Sequence, residues 1–179
     1  MTLLYILLGV VGTLVLLVLL VGFTSPRVAR MKRSTEIAAP PDRIFPRLNS
    51  LKRFVDEWSP WTGRDPAAKH TYNEKAEGVG AKYGWDGDPK KVGTGSMEIV
   101  ESVPNQRVKI KLWFKGRGEP FAGWLLEDLG GGRSRVTWDF ESDAGNNPIG
   151  RIFGRLMDKF LGPDYEKGLA KLKEICEKT

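Results

Sequence analysis

The sequence predicts an α+β fold: a curved antiparallel sheet of about seven strands wrapped around a long C-terminal helix, with two short helices after the first strand and one transmembrane helix at the N-terminus. Three observations predict it. Segments of alternating apolar and polar residues follow one another from residue 69 to residue 141, separated by short turns rich in glycine, proline and asparagine, which is the pattern of an antiparallel meander. From Pro148 onward, apolar residues recur at helical spacing. Residues 3–23 read LLYILLGVVGTLVLLVLLVGF, without a charge. Runs of strands followed by a helix indicate α+β, because a sheet with one apolar face must cover it with another element.

The N-terminal run is long enough to cross a bilayer. Its 21 residues span about 30 Å as a helix, the thickness of the hydrocarbon core. A cleaved signal peptide would carry a basic start, a shorter apolar stretch and a small-residue cleavage site. Only Met1 and Thr2 precede the run, and Thr24-Ser25-Pro26-Arg27 follows it, so the segment is read as an uncleaved anchor. Arg27, Arg30, Lys32 and Arg33 follow the run and no base precedes it. Cytoplasmic flanks are enriched in Lys and Arg, so the expected arrangement is single-pass in the cell membrane with the soluble part in the cytoplasm. Residues 1–33 are read as anchor and basic linker, and 34–179 as one domain, long enough to bury a substantial core.

Charge and composition exclude several functions. The chain carries a net +6, but setting aside the four bases beside the anchor leaves 24 bases against 22 acids. A nucleic-acid binder concentrates its bases on the folded domain, so no nucleic-acid partner is expected. One cysteine, Cys176, and one histidine, His70, give no disulfide framework and almost no material for a metal site or a catalytic triad. No metal and no cofactor is expected.

The elements follow in order. A strand is expected at Met31–Ala38 after a linker from Pro26, and Pro40-Pro41 ends it. Ile44, Phe45, Leu48, Leu51, Val55 and Trp58 recur at roughly helical spacing, but Pro46 sits badly in one continuous helix. Asn49-Ser50 offers a fresh N-cap, so two short helices are expected, at 41–48 and 50–57. Strands are expected at Lys69–Lys75, Ala81–Asp86, Gly93–Val103, Val108–Lys115, Phe121–Asp128 and Arg135–Glu141. The fourth of these, in which Val108, Ile110, Leu112 and Phe114 alternate with Lys109, Lys111, Trp113 and Lys115, is the clearest half-buried strand. Asn147-Pro148 is a plausible helix start. Ile149, Ile152, Phe153, Leu156, Met157 and Phe160 form an apolar stripe, and Tyr165, Leu169, Leu172, Ile175 and Cys176 are read as its continuation beyond a kink or break at Gly162-Pro163.

The ordered set of short motifs resembles the SRPBCC superfamily, also called START-like or helix-grip proteins, in its polyketide cyclase/dehydrase-type branch. The residues that carry the resemblance are Arg33-Ser34-Thr35-Glu36-Ile37-Ala38-Ala39-Pro40-Pro41, Ile44-Phe45, Trp58-Ser59-Pro60-Trp61, Asp65-Pro66, Gly78-Val79-Gly80-Ala81, Tyr83-Gly84-Trp85, Gly93-Thr94-Gly95-Ser96-Met97, Glu101-Ser102-Val103-Pro104-Asn105, Val136-Thr137-Trp138 and Gly168-Leu169-Ala170-Lys171-Leu172-Lys173. It covers nearly all of 32–178. It implies a deep hydrophobic cavity between sheet and C-terminal helix, used by relatives for lipids, sterols, hormones or polyketides. It transfers no activity, because the fold hosts many functions.

Strand alternation indicates which residues would line such a cavity: Tyr83, Trp85, Met97, Ile99, Ile110, Leu112, Trp124, Leu126, Trp138 and Phe140, joined by Phe153 and Met157 from the helix. Trp58 and Trp61 stand at the expected mouth, either gating it or packing the helix pair onto the sheet. Asp139 and Glu141 share the opposite, solvent face, and His70 reads as a lone surface histidine. The expected function is membrane-tethered binding of a hydrophobic small molecule or lipid. Two alternatives remain: an enzyme of cyclase or dehydrase type using Tyr83 or Tyr72, and a protein-interaction domain with a filled core.

Overall fold

In the computed structural model, which describes residues 1–116 and 118–178, the alternating segments form seven strands of one sheet. They are β1 Val28–Ile37, β2 Lys69–Tyr72, β3 Lys82–Asp86, β4 Thr94–Val103, β5 Arg107–Phe114, β6 Phe121–Gly130 and β7 Arg133–Asp143. Thr179, the expected end of the domain, lies outside the described residues. The order is β1-β7-β6-β5-β4-β3-β2, with every neighbour antiparallel. Only β1 and β7 meet across a long stretch of sequence. Residues directly opposite in an antiparallel pair share a face. The pairs Met31–Phe140, Trp124–Trp138, Val108–Trp124, Ile99–Ile110, Met97–Leu112 and Tyr83–Met97 therefore put the apolar sets of six strands on one inner face. A register shift between Ile99 and Glu101 marks a bulge in β4, which bends the sheet.

The helices are set by local signals. α2 spans Pro41–Leu48 with Pro41 in its first turn, and it tolerates Pro46 near its end. The Ser50 hydroxyl accepts from the Arg53 N–H at 3.4 Å and starts α3, Leu51–Arg53. This helix widens into a π-helical turn, Phe54–Trp58, closed by Ser59 N–H donating to Phe54 O at 2.7 Å. A regular α-helix was expected here. Ser59 precedes Pro60, which disfavours helical geometry, and it is extended. α4 spans Pro148–Glu177, capped by the Asn147 side chain, which accepts from Gly150 N–H at 3.1 Å. It is not split at Pro163. Arg33 holds it on both sides of that point, with pairs to Asp158 at 2.7 Å and Glu166 at 2.8 Å.

α4 covers the inner face of the sheet. Tyr165, Leu169, Leu172 and Cys176 are all buried. Gly168 permits the close approach, since a Cβ there would fall 2.7 Å from the Trp138 ring. At the other end of the chain, α1, Thr2–Thr24, is the one helix among the described residues long and apolar enough to cross a membrane, with a mean hydropathy of 3.0. The expected basic linker is shorter than its sequence suggested. β1 begins at Val28 and takes in Arg30, Lys32 and Arg33, leaving Ser25–Arg27 between α1 and the sheet. Arg27 pairs with Asp143 at 2.8 Å and Arg30 with Glu141 at 2.7 Å.

Candidate ligand cavity

The inner face of the sheet and α4 enclose a cavity of about 400 Å³, within the range of small-molecule sites. Its inner wall is a packed aromatic cluster. Phe54 lies 5.3 Å from Trp124 and 5.7 Å from Trp138, ring centre to ring centre. Trp58 sits behind, 5.2 Å from Trp124 and 5.4 Å from Trp138. Tyr165 of α4 stacks on Trp138 at 3.9 Å. These edge-to-face and stacked contacts fix the wall in place beyond simple area burial. Opposite it, Tyr83 stacks on Trp85 at 5.6 Å, and Met97, Ile110, Leu112, Phe114, Ala122 and Phe140 complete the apolar lining.

Polar groups gather towards the mouth. His70 Nδ1 and the Tyr83 hydroxyl share a hydrogen bond of 2.8 Å. Burial, with smaller contributions from Tyr72 and Asp56, pushes the Tyr83 phenol well above its ordinary range, so it stays a neutral hydroxyl. Asp164 accepts from Trp61 Nε1 at 3.1 Å and pairs with Arg64. Asp65 fastens the loop after the π-turn to the β3–β4 turn. Its carboxylate accepts from Asp88 N–H at 2.7 Å and from Lys91 Nζ at 3.3 Å. The Asp88 hydrogen bond, with help from Lys91, holds the Asp65 carboxyl below the usual carboxylate range. Deeper in, the buried Trp124 Nε1 has no hydrogen-bond partner among the described residues.

The residues expected to line a cavity divide into four groups. Trp61, Tyr83, Trp85, Met97, Ile110, Leu112, Trp124, Trp138 and Phe140 lie on it. Trp58, Ile99 and Leu126 are buried but belong to the core outside the lining. Met157 packs against the core from outside the lining. Phe153 is corrected outright: it is 58% exposed, because the first half of α4 turns that face away from the sheet. The two tryptophans of the 58–61 motif thus separate, Trp58 into the core and Trp61 to the cavity rim. Asp139 and Glu141 lie exposed on the outer face. His70 was missed as a cavity residue. The signal was in the pairing, since His70 stands opposite Trp85 and Tyr72 opposite Tyr83, which puts both on the inner face. Among the described residues, no group of three or more His, Cys, Asp or Glu side chains is arranged to hold a metal ion.

Likenesses to known proteins agree with this geometry. Residues 28–177 match the family described as polyketide cyclase/dehydrase and lipid transport. The homeobox-leucine zipper protein ANTHOCYANINLESS 2 of Arabidopsis thaliana is 25% identical over 104 residues, which is 58% of this chain and 11% of that protein. Truncated norcoclaurine synthase from Thalictrum flavum aligns at a TM-score of 0.61 and 12% identity, over 83% of this chain and 95% of that one. Zhui aromatase/cyclase from a Streptomyces species aligns at a TM-score of 0.58 and 12% identity, over 84% of this chain and 94% of that one. At these identities the solved structures speak for the fold alone.

Proposed function

Because the chain belongs to the polyketide cyclase/dehydrase and lipid transport family, we propose that it is a membrane-tethered binding protein for a hydrophobic small molecule or lipid. The observation that carries this reading is the cavity between sheet and α4, apolar in its depth and polar at its rim. The Trp124 indole N–H, without a hydrogen-bond partner among the described residues, suits a ligand with an oxygen acceptor at its buried end, since a buried donor without a partner is costly. α1 would hold the cavity at a bilayer, where such ligands partition, with the domain on the cytoplasmic side. The test is native mass spectrometry of the full chain in lipid nanodiscs. A bound small apolar species is expected, and Ala122→Phe, which fills the cavity from β6, should remove it. A chain that releases and takes up no such species from a broad lipid panel would defeat the reading.

A second reading is favoured by one observation. The hydrogen-bonded His70–Tyr83 pair faces into the cavity, and a buried phenol held neutral beside an imidazole can donate a hydrogen bond to a ligand carbonyl and polarise it. An enzyme of cyclase or dehydrase type would use that pair. Tyr83→Phe separates the readings: a binding protein keeps its co-purifying ligand unchanged, whereas an enzyme keeps binding and accumulates unconverted ligand.

A further inference from the structure

The first half of α4 is inverted for a helix in water. Ile149, Phe153, Leu156 and Phe160 are 55%, 58%, 41% and 59% exposed, and at 3.6 residues per turn they fall within an arc of about 60°. The opposite side of the same segment faces β1 with small and polar residues. Asp158 accepts from Arg33 at 2.7 and 3.0 Å. A Cβ on Gly154 would stand 2.9 Å from the Ala29 side chain. A soluble helix places its apolar stripe against the core, and this one turns it outward.

The position of the stripe identifies what covers it. α4 begins against the last turn of α1, where a Cβ on Gly22 would lie 2.4 Å from Pro148. Arg151 donates to Phe23 O at 3.4 Å, and its guanidinium sits 5.9 Å from the Phe23 ring centre. On the reading that α1 spans a bilayer, on which this inference rests, the stripe starts where α1 leaves the hydrocarbon. Exposed Arg155 and Lys159 flank it, matching anionic headgroups. The stripe also ends at the cavity, because Phe160 belongs to both the stripe and the lining.

We propose that the face formed by Ile149, Phe153, Leu156 and Phe160 is a membrane-docking surface, seated in the boundary between headgroups and acyl chains beside α1. Docked this way, the cavity mouth at Phe160 opens onto lipid, and an apolar ligand passes from bilayer to cavity without crossing water. The test places single fluorescent reporters in the full chain on a Cys176→Ala background, in nanodiscs containing anionic lipid and a lipid with a nitroxide near its headgroup. The positions are Phe153→Cys, Phe160→Cys, Leu16→Cys within α1, and Leu125→Cys on the outer face of β6. Blue-shifted emission is expected at 153 and 160, with loss of about half the intensity to the nitroxide, against little loss at 125. Quenching at 16 but not at 153 and 160 overturns the docking surface and leaves the anchor standing. No quenching at 16 defeats the anchor and this inference with it. A blue shift at 153 without quenching means that protein covers the face, a second copy included, and also overturns the proposal.

Discussion

The two halves of α4 each carry an apolar stripe, and the stripes meet opposite fates. Tyr165, Leu169, Leu172 and Cys176 are 0–2% exposed, while Ile149, Phe153, Leu156 and Phe160 are at least 41% exposed. Both sets have helical spacing, and the sequence alone reads them as one stripe. The phase says otherwise: at 100° per residue the second set lies roughly 160° around the helix from the first. One helix therefore presents an apolar face to the sheet at its C-terminal end and another away from it at its N-terminal end. Periodicity reveals a face. What covers that face is decided by the surroundings, here the inner sheet for one half and, on our proposal, the bilayer for the other.

The sharpest way to break this comparison is to truncate one leucine in each half. Leu172 is fully buried beneath the sheet, so Leu172→Ala should cost about 2–5 kcal/mol through lost transfer energy and a cavity. Leu156, 41% exposed, should cost less than about 0.5 kcal/mol as alanine when the protein unfolds from detergent solution. Urea unfolding of the two variants, followed by tryptophan fluorescence, measures both. Equal losses would mean that the outward stripe is packed against protein after all, and the division of α4 would fail.

Much of the fold was legible because its signals are local. Strict alternation in β5 and β7 can satisfy only one register, since a slip by one residue would turn Trp138 and Phe140 to solvent. Ser50 and Asn147 cap the helices they precede, using only neighbouring N–H groups. The rest depends on pairing between distant segments. His70 sits in a strand of four residues, all exposed, too short to show a face by its own alternation. Asp65 and Lys91 meet only once β3 and β4 have folded back. Arg33, counted with the basic flank in sequence, points inward opposite Trp138 and grips α4. The phase slip between the two halves of α4 was present in the sequence as arithmetic, hidden by the assumption that consecutive apolar residues share a partner.

Arg33 offers the subtlest probe, because it bridges the two halves through Asp158 and Glu166. Its hydrogen bond to Asp158, aided by their charge attraction, holds that carboxyl below the ordinary range. A depressed folded pKa means that the contribution is complete above the unfolded value of about 3.9 and fades as pH falls through the folded one. Both acids are well exposed, so the effect on global stability should be small. It should instead be local. Below about pH 4, amide exchange corrected for intrinsic rate should rise across 148–160 while 165–177 stays protected by the core. Asp158→Asn should raise exchange in the first half at neutral pH and flatten its dependence on acid. A uniform rise along all of α4 would show that the helix opens as one unit, with its two halves differing in what they face but not in how firmly they are held.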